Sequence, residues 1–221
     1  MKTISNILVF CLSMLLVSSC SAQESSDFKT RELTSQQLAE LETAYFAAGC
    51  FWCVEAIYQH IEGVKQVVSG FSGGDEPNPS YREVAMGKTH YAESVRVRYD
   101  PEVVTYRQLV QVFYASHNPT LLNRVGPDVG EQYRSAIFYT SEKQKKIATE
   151  VKNKIDISDR YDDPIVTEIT EFKSFWPASE HHQNYILKHP HDPYVVNVSI
   201  PREQRTLAQF PEWVVEEHQK E

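Results

Sequence analysis

The chain has 221 residues, of which 41% are hydrophobic and 24% are charged, and its formal net charge is −8. This composition is typical of a globular protein with one good core, so we expect one compact domain with tails. The negative charge argues against nucleic-acid binding, which needs a basic surface.

The N-terminus has the features of an export signal. Lys2 precedes an apolar run, Ile7–Val17, which only Ser13 interrupts and which is too short to span a bilayer comfortably. The following LVSSC resembles the lipobox of bacterial lipoproteins, in which the cysteine, here Cys20, becomes the acylated N-terminus. Ordinary cleavage after Ala22 is the alternative. In both cases we expect an exported protein, periplasmic or anchored in the envelope, with a lipid as its only attachment to the membrane.

The first half of the body is predicted to alternate strands and helices. A helix is expected from Ser35, and a strand, Thr43–Gly49, ends in a glycine turn. From Cys50 the apolar residues recur at helical spacing until Gly63 stops the helix. The next predicted strands are 64–74 and 92–100, with a turn-rich loop between them.

The second half continues this alternation, which indicates an α/β (α+β) fold with helices packed on a sheet. Thr105 and Gln108 form a capping box that begins a helix. The loop 117–132 contains two prolines and two glycines, and so long a loop in a compact domain is usually functional. The remaining predictions are a strand at 133–140, a helix capped by Ser141 and Gln144, a strand at 164–170 and a short helix, Ala178–Lys188.

The cysteines are divided between the signal segment and the body. Cys11 leaves with the signal and Cys20 is lipid-bearing or removed, so only Cys50 and Cys53 remain in the folded domain. Disulfides persist outside the cytosol, so the pair is a structural bridge, a redox couple or half of a metal site. A Cys-x-x-Cys at a helix start favours the redox couple. A zinc site needs two more ligands, and the His181–His182 pair lacks the usual spacing, so we predict no metal.

The order strand, glycine, cysteine, helix places Cys50 at or beside a helix N-cap. The unpaired N–H groups and the dipole at that end stabilise an anion, and they lower the pKa of a thiol. We therefore expect Cys50 to be a thiolate at neutral pH. Cys53 lies one turn further along the helix, close enough to form a disulfide with it.

Phe51 and Trp52 stand beside this nucleophile and cannot both face the core. One reading is that one ring packs inward and the other covers the sheet edge. The other is a hydrophobic cup for a small apolar group, and aromatic rings favour a methylthio group.

Glu93 lies two residues before Val95, in phase with the apolar face of its strand. A buried carboxyl has a raised pKa and can act as a general acid at neutral pH. The alternative is a frayed strand end that reaches solvent. Tyr81 and Tyr133 flank turns or loops, where their hydroxyls either donate hydrogen bonds to a ligand or belong to ordinary packing.

Taken together, these residues resemble the peptide methionine sulfoxide reductase A family, and the resemblance covers 43–190. It is carried by several separate pieces in the same order. They are GCFW at Gly49–Trp52, GG at Gly73–Gly74, PNPSYREV at Pro77–Val84, YAESVRVRYDP at Tyr91–Pro101, HNPT at His117–Thr120, DVGEQYRSAIFY at Asp128–Tyr139 and FWPASEHHQNY at Phe175–Tyr185.

The resemblance implies a two-layer sandwich with a mixed central sheet and packed helices. It also implies a role for each matching residue. Cys50 matches the nucleophile, Phe51 and Trp52 the walls around the substrate methyl, Glu93 the acid that protonates the sulfoxide oxygen, Tyr81 and Tyr133 the residues that bind this oxygen, and Asp128 a residue of the same pocket.

The implied activity is reduction of methionine S-sulfoxide, free or in oxidised proteins, to methionine. Cys50 becomes a sulfenic acid, a second thiol condenses with it, and an external thioredoxin-like dithiol reduces the disulfide. No metal, flavin or nicotinamide cofactor is implied.

The chain departs from the family pattern in two places. Glycine is usual at Cys53, and many members carry resolving cysteines near the C-terminus, where this chain has none. Cys53 is thus the predicted resolving thiol. The family's aspartate-tyrosine-histidine run reads Glu180–His181–His182, which leaves the shape of that pocket wall open.

Two other functions remain as alternatives. A thioredoxin-like thiol–disulfide oxidoreductase also uses a strand, Cys-x-x-Cys and helix, and a non-catalytic lipoprotein could hold a structural disulfide. We expect a monomer. The predicted organisation is a lipoprotein-type signal peptide at 1–19, a tether at 20–42, the catalytic domain at 43–190 and a C-terminal extension at 191–221.

Overall fold

The computed structural model describes residues 33–215. The predicted signal peptide and the lipidation candidate Cys20 lie outside the described residues. Within 33–215, no helix combines the length and the hydropathy that crossing a bilayer requires.

The central sheet has six strands in the order β7-β6-β1-β3-β2-β8. It is mixed, because β6 and β7 pair in parallel while the other neighbours are antiparallel. A separate hairpin, β4–β5, lies within the long loop predicted at 117–132. The strands are β1 Glu42–Ala48, β2 Val64–Ser72, β3 Ala92–Tyr99, β4 Arg124–Val125, β5 Asp128–Val129, β6 Ser135–Tyr139, β7 Glu168–Glu171 and β8 Phe175–Pro177.

The helices are the second layer. The capping boxes expected at Thr105 and the cap expected at Ser141 are present, and both helices begin there because these side chains accept a backbone N–H. The α-helices are α1 Ser35–Glu40, α2 Phe51–Gln59, α3 Tyr81–Ala85, α4 Tyr106–Ala115, α5 Glu142–Asp156, α6 Tyr185–Lys188 and α7 Ile200–Leu207. Short 3-10 turns occupy Glu131–Tyr133, Glu180–His182 and Pro211–Trp213, and a π-helix occupies Val195–Ser199.

The main core lies between the sheet and helices α2, α4 and α7. Val95, Val97 and Tyr99 of β3 are fully buried, as their alternation predicts. Helix α2 packs on β2 and β3, and α7 packs against both α2 and α4. The two-layer sandwich with a mixed sheet is therefore confirmed.

The predicted helix Ala178–Lys188 is wrong in one respect, because it is two separate turns. Asn184 interrupts it with a left-handed conformation, φ +53°, between the 3-10 turn and α6. Asparagine tolerates this conformation better than most residues, and the single break redirects the chain toward the site described next.

Candidate active site

A sharp turn delivers Cys50 to the start of helix α2. Strand β1 ends at Ala48, and Gly49 adopts φ +74°, where a side chain is strained. A Cβ at Gly49 would also lie 2.6 Å from Cβ of Val125 in the β4–β5 hairpin. Cys50 is then the N-cap of α2, as predicted, and only 6% of its surface is exposed.

The carboxyl of Glu93 lies directly beneath this helix terminus. Glu93 is 2% exposed, and its Oε2 accepts the backbone N–H of Phe51 at 3.1 Å. Burial raises the pKa of Glu93 to about 8, and Asp128 adds to this effect, while the Phe51 hydrogen bond opposes it. At neutral pH the group therefore holds a proton beside Cys50.

Tyr81, Tyr133 and Asp128 come from three separate segments and all lie close enough to Glu93 and Cys50 to interact with them. Burial first, and then the nearby Glu93, raise the pKa of Tyr81 to about 12 and raise that of Tyr133 as well, so both hydroxyls keep their protons. The Asp128 carboxyl also interacts with Cys50, and burial raises its pKa. The structure thus brings together the five residues predicted as catalytic.

Asp128 has a partner that the sequence did not suggest. The hydroxyl of Tyr194 donates to Asp128 Oδ2 at 2.6 Å. This hydrogen bond, together with the Arg202 charge and the Cys50 backbone, opposes the effect of burial on the pKa of Asp128. Tyr194 and Arg202 both belong to the predicted C-terminal extension.

The two aromatic residues differ in burial, and both line the approach to Cys50. Phe51 is 1% exposed, and its ring centroid lies 6.1 Å from that of Tyr81. Trp52 is half-buried and stacks on Tyr185 with 3.6 Å between centroids and 7° between planes. His182 packs between them, 4.0 Å from the Tyr81 ring. The pocket wall that the sequence left open is thus formed by His182 and Tyr185.

The thiols of Cys50 and Cys53 are both reduced and buried, and each acts on the pKa of the other. Burial, the interaction with Cys53 and the nearby Glu93 and Asp128 carboxyls raise the pKa of Cys50. The interaction with Cys50 is the largest influence on Cys53, and it lowers the pKa of that thiol to about 6. Cys53 is therefore the thiol of the pair that loses its proton first.

The prediction of a resting thiolate at Cys50 is consequently wrong. A charge at a helix N-terminus gains about 0.3–1 kcal/mol, and one pKa unit corresponds to about 1.4 kcal/mol. Complete burial moves a pKa by up to about 3–5 units in the opposite direction. Burial outweighs the helix terminus, so Cys50 stays protonated until a reaction removes its proton.

Ser199 completes the surroundings of Cys53 and was missed at the sequence level. Its Oγ lies 3.1 Å from Cys53 Sγ, and the Tyr194 hydroxyl lies 4.0 Å from the same sulfur. Ser199 ends the π-helix Val195–Ser199, beyond the residues that carry the family resemblance. No local pattern in that stretch pointed to the dithiol.

Metal ligands do not gather around the thiols. Residues 33–215 contain no group of three or more His, Cys, Asp or Glu side chains placed to hold a metal ion.

Relatives match this chain over most of its length. The sequence model of the peptide methionine sulfoxide reductase family matches residues 42–213. A peptide methionine sulfoxide reductase MsrA from Polynucleobacter asymbioticus is 48% identical over 179 residues, which cover 81% of this chain and 94% of the relative. The MsrA of Trichodesmium erythraeum is 43% identical over 174 residues, covering 79% of this chain and 98% of the relative.

Solved structures of similar proteins also match the fold of this chain. Mxr1 from Saccharomyces cerevisiae in its reduced form superposes with a TM-score of 0.63 at 34% identity, over 69% of this chain and 88% of that one. Methionine sulfoxide reductase A of Corynebacterium diphtheriae gives 0.62 at 35% identity, over 68% and 76% of the two chains. The predicted family and activity are confirmed: the chain belongs to the peptide methionine sulfoxide reductase family, and it reduces methionine sulfoxide to methionine.

Proposed function

We propose that Cys50 is the nucleophile and Glu93 the acid of this reduction, with methionine S-sulfoxide, free or protein-bound, as the substrate. The observation that carries the proposal is the protonated Glu93 carboxyl buried at the helix terminus that also presents Cys50. A sulfoxide sulfur is electrophilic, but its oxygen leaves only when it receives a proton.

The first step balances without an external reagent. Glu93 gives its proton to the sulfoxide oxygen while the Cys50 sulfur attacks the substrate sulfur, and the Cys50 proton restores the Glu93 carboxyl. The bond between the two sulfurs then breaks as the hydroxyl passes from the substrate sulfur to the Cys50 sulfur, so that Cys50 becomes a sulfenic acid and methionine leaves. The Cys50 sulfur is oxidised by two electrons and the substrate sulfur is reduced by two.

The tyrosines and the aromatic wall orient the substrate. Because Tyr81 and Tyr133 stay protonated, their hydroxyls donate hydrogen bonds to the sulfoxide oxygen and stabilise its growing negative charge. Asp128 lines the same pocket. Phe51 and Trp52 enclose the methyl group of the substrate, and the sulfur that carries this methyl packs favourably on aromatic rings.

Cys53 is proposed as the resolving thiol. Cys53 lies one helical turn after Cys50, and each thiol acts on the pKa of the other, so its sulfur is within reach of Cys50. Cys53 attacks the sulfenic sulfur, a disulfide forms, and the displaced oxygen leaves as water. A thioredoxin-like dithiol outside the protein then reduces the disulfide by exchange, and the cycle uses no cofactor.

We also propose that the protein works outside the cytosol as a monomer. The apolar run 7–17 and the lipobox-like LVSSC support export, with Cys20 as the lipid-bearing N-terminus. The reductant would then be a dithiol protein of the periplasm or envelope. Mass analysis of the mature N-terminus tests this, because a lipid on Cys20 supports anchoring and a free serine or glutamine N-terminus contradicts it.

The catalytic assignment is tested by single turnover of the reduced full chain without added reductant. We expect one methionine per chain from the S epimer, none from the R epimer, and none from Cys50→Ser. The wild-type peptide that contains both cysteines should lose two hydrogens, and the Cys53→Ala peptide should instead gain one oxygen. Full methionine formation by Cys50→Ser would overturn the assignment.

A further inference from the structure

The buried face of Cys53 is formed by a part of the chain that the reaction described so far does not use. Helix α2 packs against α7 and the π-helix that precedes it. Cys53 is 0% exposed and Ser199 is 0% exposed, and their side chains meet at 3.1 Å. In this contact the Cys53 thiol donates to Ser199 Oγ, and once Cys53 has lost its proton the Ser199 hydroxyl can rotate and donate to the sulfur.

Arg202, one turn after Ser199, is an unusual buried cation. It is 6% exposed, and its guanidinium donates to the Ser116 carbonyl at 2.8 Å and to the Ala48 carbonyl at 2.8 Å. A third, longer contact of 3.4 Å reaches the Ser116 hydroxyl. These partners are all neutral, and no carboxylate forms an ion pair with Arg202 anywhere in the described range 33–215.

A buried positive charge without a carboxylate partner is costly, and it stabilises any anion that forms near it. Its anchor on Ala48 fixes it to the strand that delivers the dithiol, two residues before Cys50. Its charge lowers the pKa of both Cys53 and Asp128. The groups that face Cys53 are thus Cys50 on its own helix, Glu93 on β3, and Tyr194, Ser199 and Arg202 on the C-terminal segment.

We infer that Ser199 and Arg202 activate Cys53 as the resolving nucleophile, Ser199 by its hydrogen bond to the sulfur and Arg202 by its buried charge. Ser199 touches a reacting atom, whereas Arg202 is a positioning residue. The inference rests on the proposed Cys50–Cys53 disulfide, and it assigns two residues of the C-terminal segment to the formation of that disulfide.

The step itself balances within the protein. The Cys53 thiolate attacks the sulfur of the Cys50 sulfenic acid, the S–S bond forms and the S–O bond breaks. The hydroxide that leaves takes up the proton that Cys53 had released and becomes water. A thiol with a pKa below the working pH is largely ionised, and it keeps enough nucleophilicity for exchange-type reactions.

Single turnover of the full chain separates the two steps. Methionine reports the first step, and loss of two hydrogens from the peptide containing Cys50 and Cys53 reports the second. We expect Ser199→Ala to release methionine at the wild-type rate but to form the disulfide about tenfold more slowly near pH 6, the effect of one hydrogen bond to a charged sulfur. The difference should vanish near pH 9, where an ordinary thiol ionises unaided.

Thr206→Val is the matched control. Thr206 is a 1% exposed residue of the same helix, and its hydroxyl donates to the Arg202 carbonyl at 2.8 Å and touches neither sulfur. We expect it to leave the disulfide step unchanged. Arg202→Met should move the pH dependence of the disulfide step to higher pH. Arg202→Lys keeps the positive charge and should reverse part of this shift.

The wild-type protein alone provides a second measurement that does not depend on how the variants fold. The rate of disulfide formation should rise with pH and level off below the pKa of an ordinary thiol, because Ser199 and Arg202 still act on Cys53 after Cys50 has been oxidised. An inflection near about 8.5, where a free thiol ionises, would overturn the inference. An unchanged disulfide rate in folded Ser199→Ala would also overturn it, while wild type that never forms the disulfide would overturn the proposed function itself.

Discussion

Two buried glutamates of this protein have the same pKa and different neighbours. Glu93 and Glu55 are each 2% exposed, each accepts a backbone N–H, and burial raises the pKa of each to about 8. Glu93 interacts with the Cys50 thiol, the Tyr81 and Tyr133 hydroxyls and Asp128. Glu55 instead accepts the N–H of Asn184 at 2.9 Å and meets Ser69 and the more distant Lys188.

The comparison teaches that a raised pKa does not by itself identify a catalytic acid. Burial keeps a proton on both groups at neutral pH, but only Glu93 lies beside the Cys50 thiol and the Tyr81 and Tyr133 hydroxyls. Glu55 fixes the left-handed Asn184, and with it the turn that carries His182 and Tyr185 to the pocket wall. We therefore propose a catalytic role for Glu93 and a structural role for Glu55.

The largest expected effect is on the rate of methionine formation, and it should distinguish the two glutamates. Glu93→Gln keeps the shape but removes the acid, so we expect methionine formation to fall by roughly 10²–10⁴-fold, the usual contribution of a general acid. Glu55→Gln keeps both shape and neutrality and should change the rate by less than about threefold, given that it transfers no proton. Single-turnover rates measure both, and equal losses in the two variants would contradict the comparison.

In stability the two glutamates should behave alike. From about pH 4.5 the unfolded chain ionises both groups, while the folded protein keeps them protonated up to about pH 8, so stability should decrease as pH rises through this window. Each glutamine variant should reduce that decrease by up to about 1.4 kcal/mol per pH unit. Urea unfolding of wild type and of the two glutamine variants at several pH values tests this.

The hydroxyls around Glu93 are expected to matter less than the acid. Tyr81→Phe and Tyr133→Phe each remove one hydrogen bond to the sulfoxide oxygen, and each should slow methionine formation by about tenfold. The matched control is Tyr114→Phe, whose buried hydroxyl lies outside the pocket and should leave the rate unchanged. Rates in the pocket variants equal to wild type would mean that the tyrosines only pack.

The smallest effect concerns the turn above Glu55. Asn184→Ala places alanine at φ +53° and should cost about 1–2 kcal/mol of stability, with a raised KM because the turn positions Tyr185. Glycine adopts this φ without strain, so Asn184→Gly should have a KM close to that of wild type. An alanine variant with normal KM would show that the wall does not depend on this turn.

The sequence predicted those features that have a local cause. Glu93 could be found because one strand alternates regularly, and Cys50 because a glycine turn meets a helical period. The charge state of Cys50 could not be predicted, because it depends on burial beside two carboxyls from distant segments. Ser199 is separated from Cys53 by 146 residues, and nothing local marks that contact.

Glu55 escaped prediction for a different reason. Helix α2 is buried on nearly every side, so no polar face remains against which a buried carboxyl would stand out. The break at Asn184 was missed because a helical composition continues on both sides of it. In each case tertiary packing overrode the local pattern.

The central claim is that Cys50 attacks while Glu93 supplies the proton, and the pH dependence of the first step tests it most directly. The measurement is the rate at which the Cys53→Ala variant converts Cys50 to its sulfenic acid, trapped with dimedone and followed by mass spectrometry. Because the reacting state needs both protons in place, we predict a plateau below about pH 8 and a fall above it. A rate that instead rises through about pH 8.5, as for an ordinary thiolate, would contradict the account.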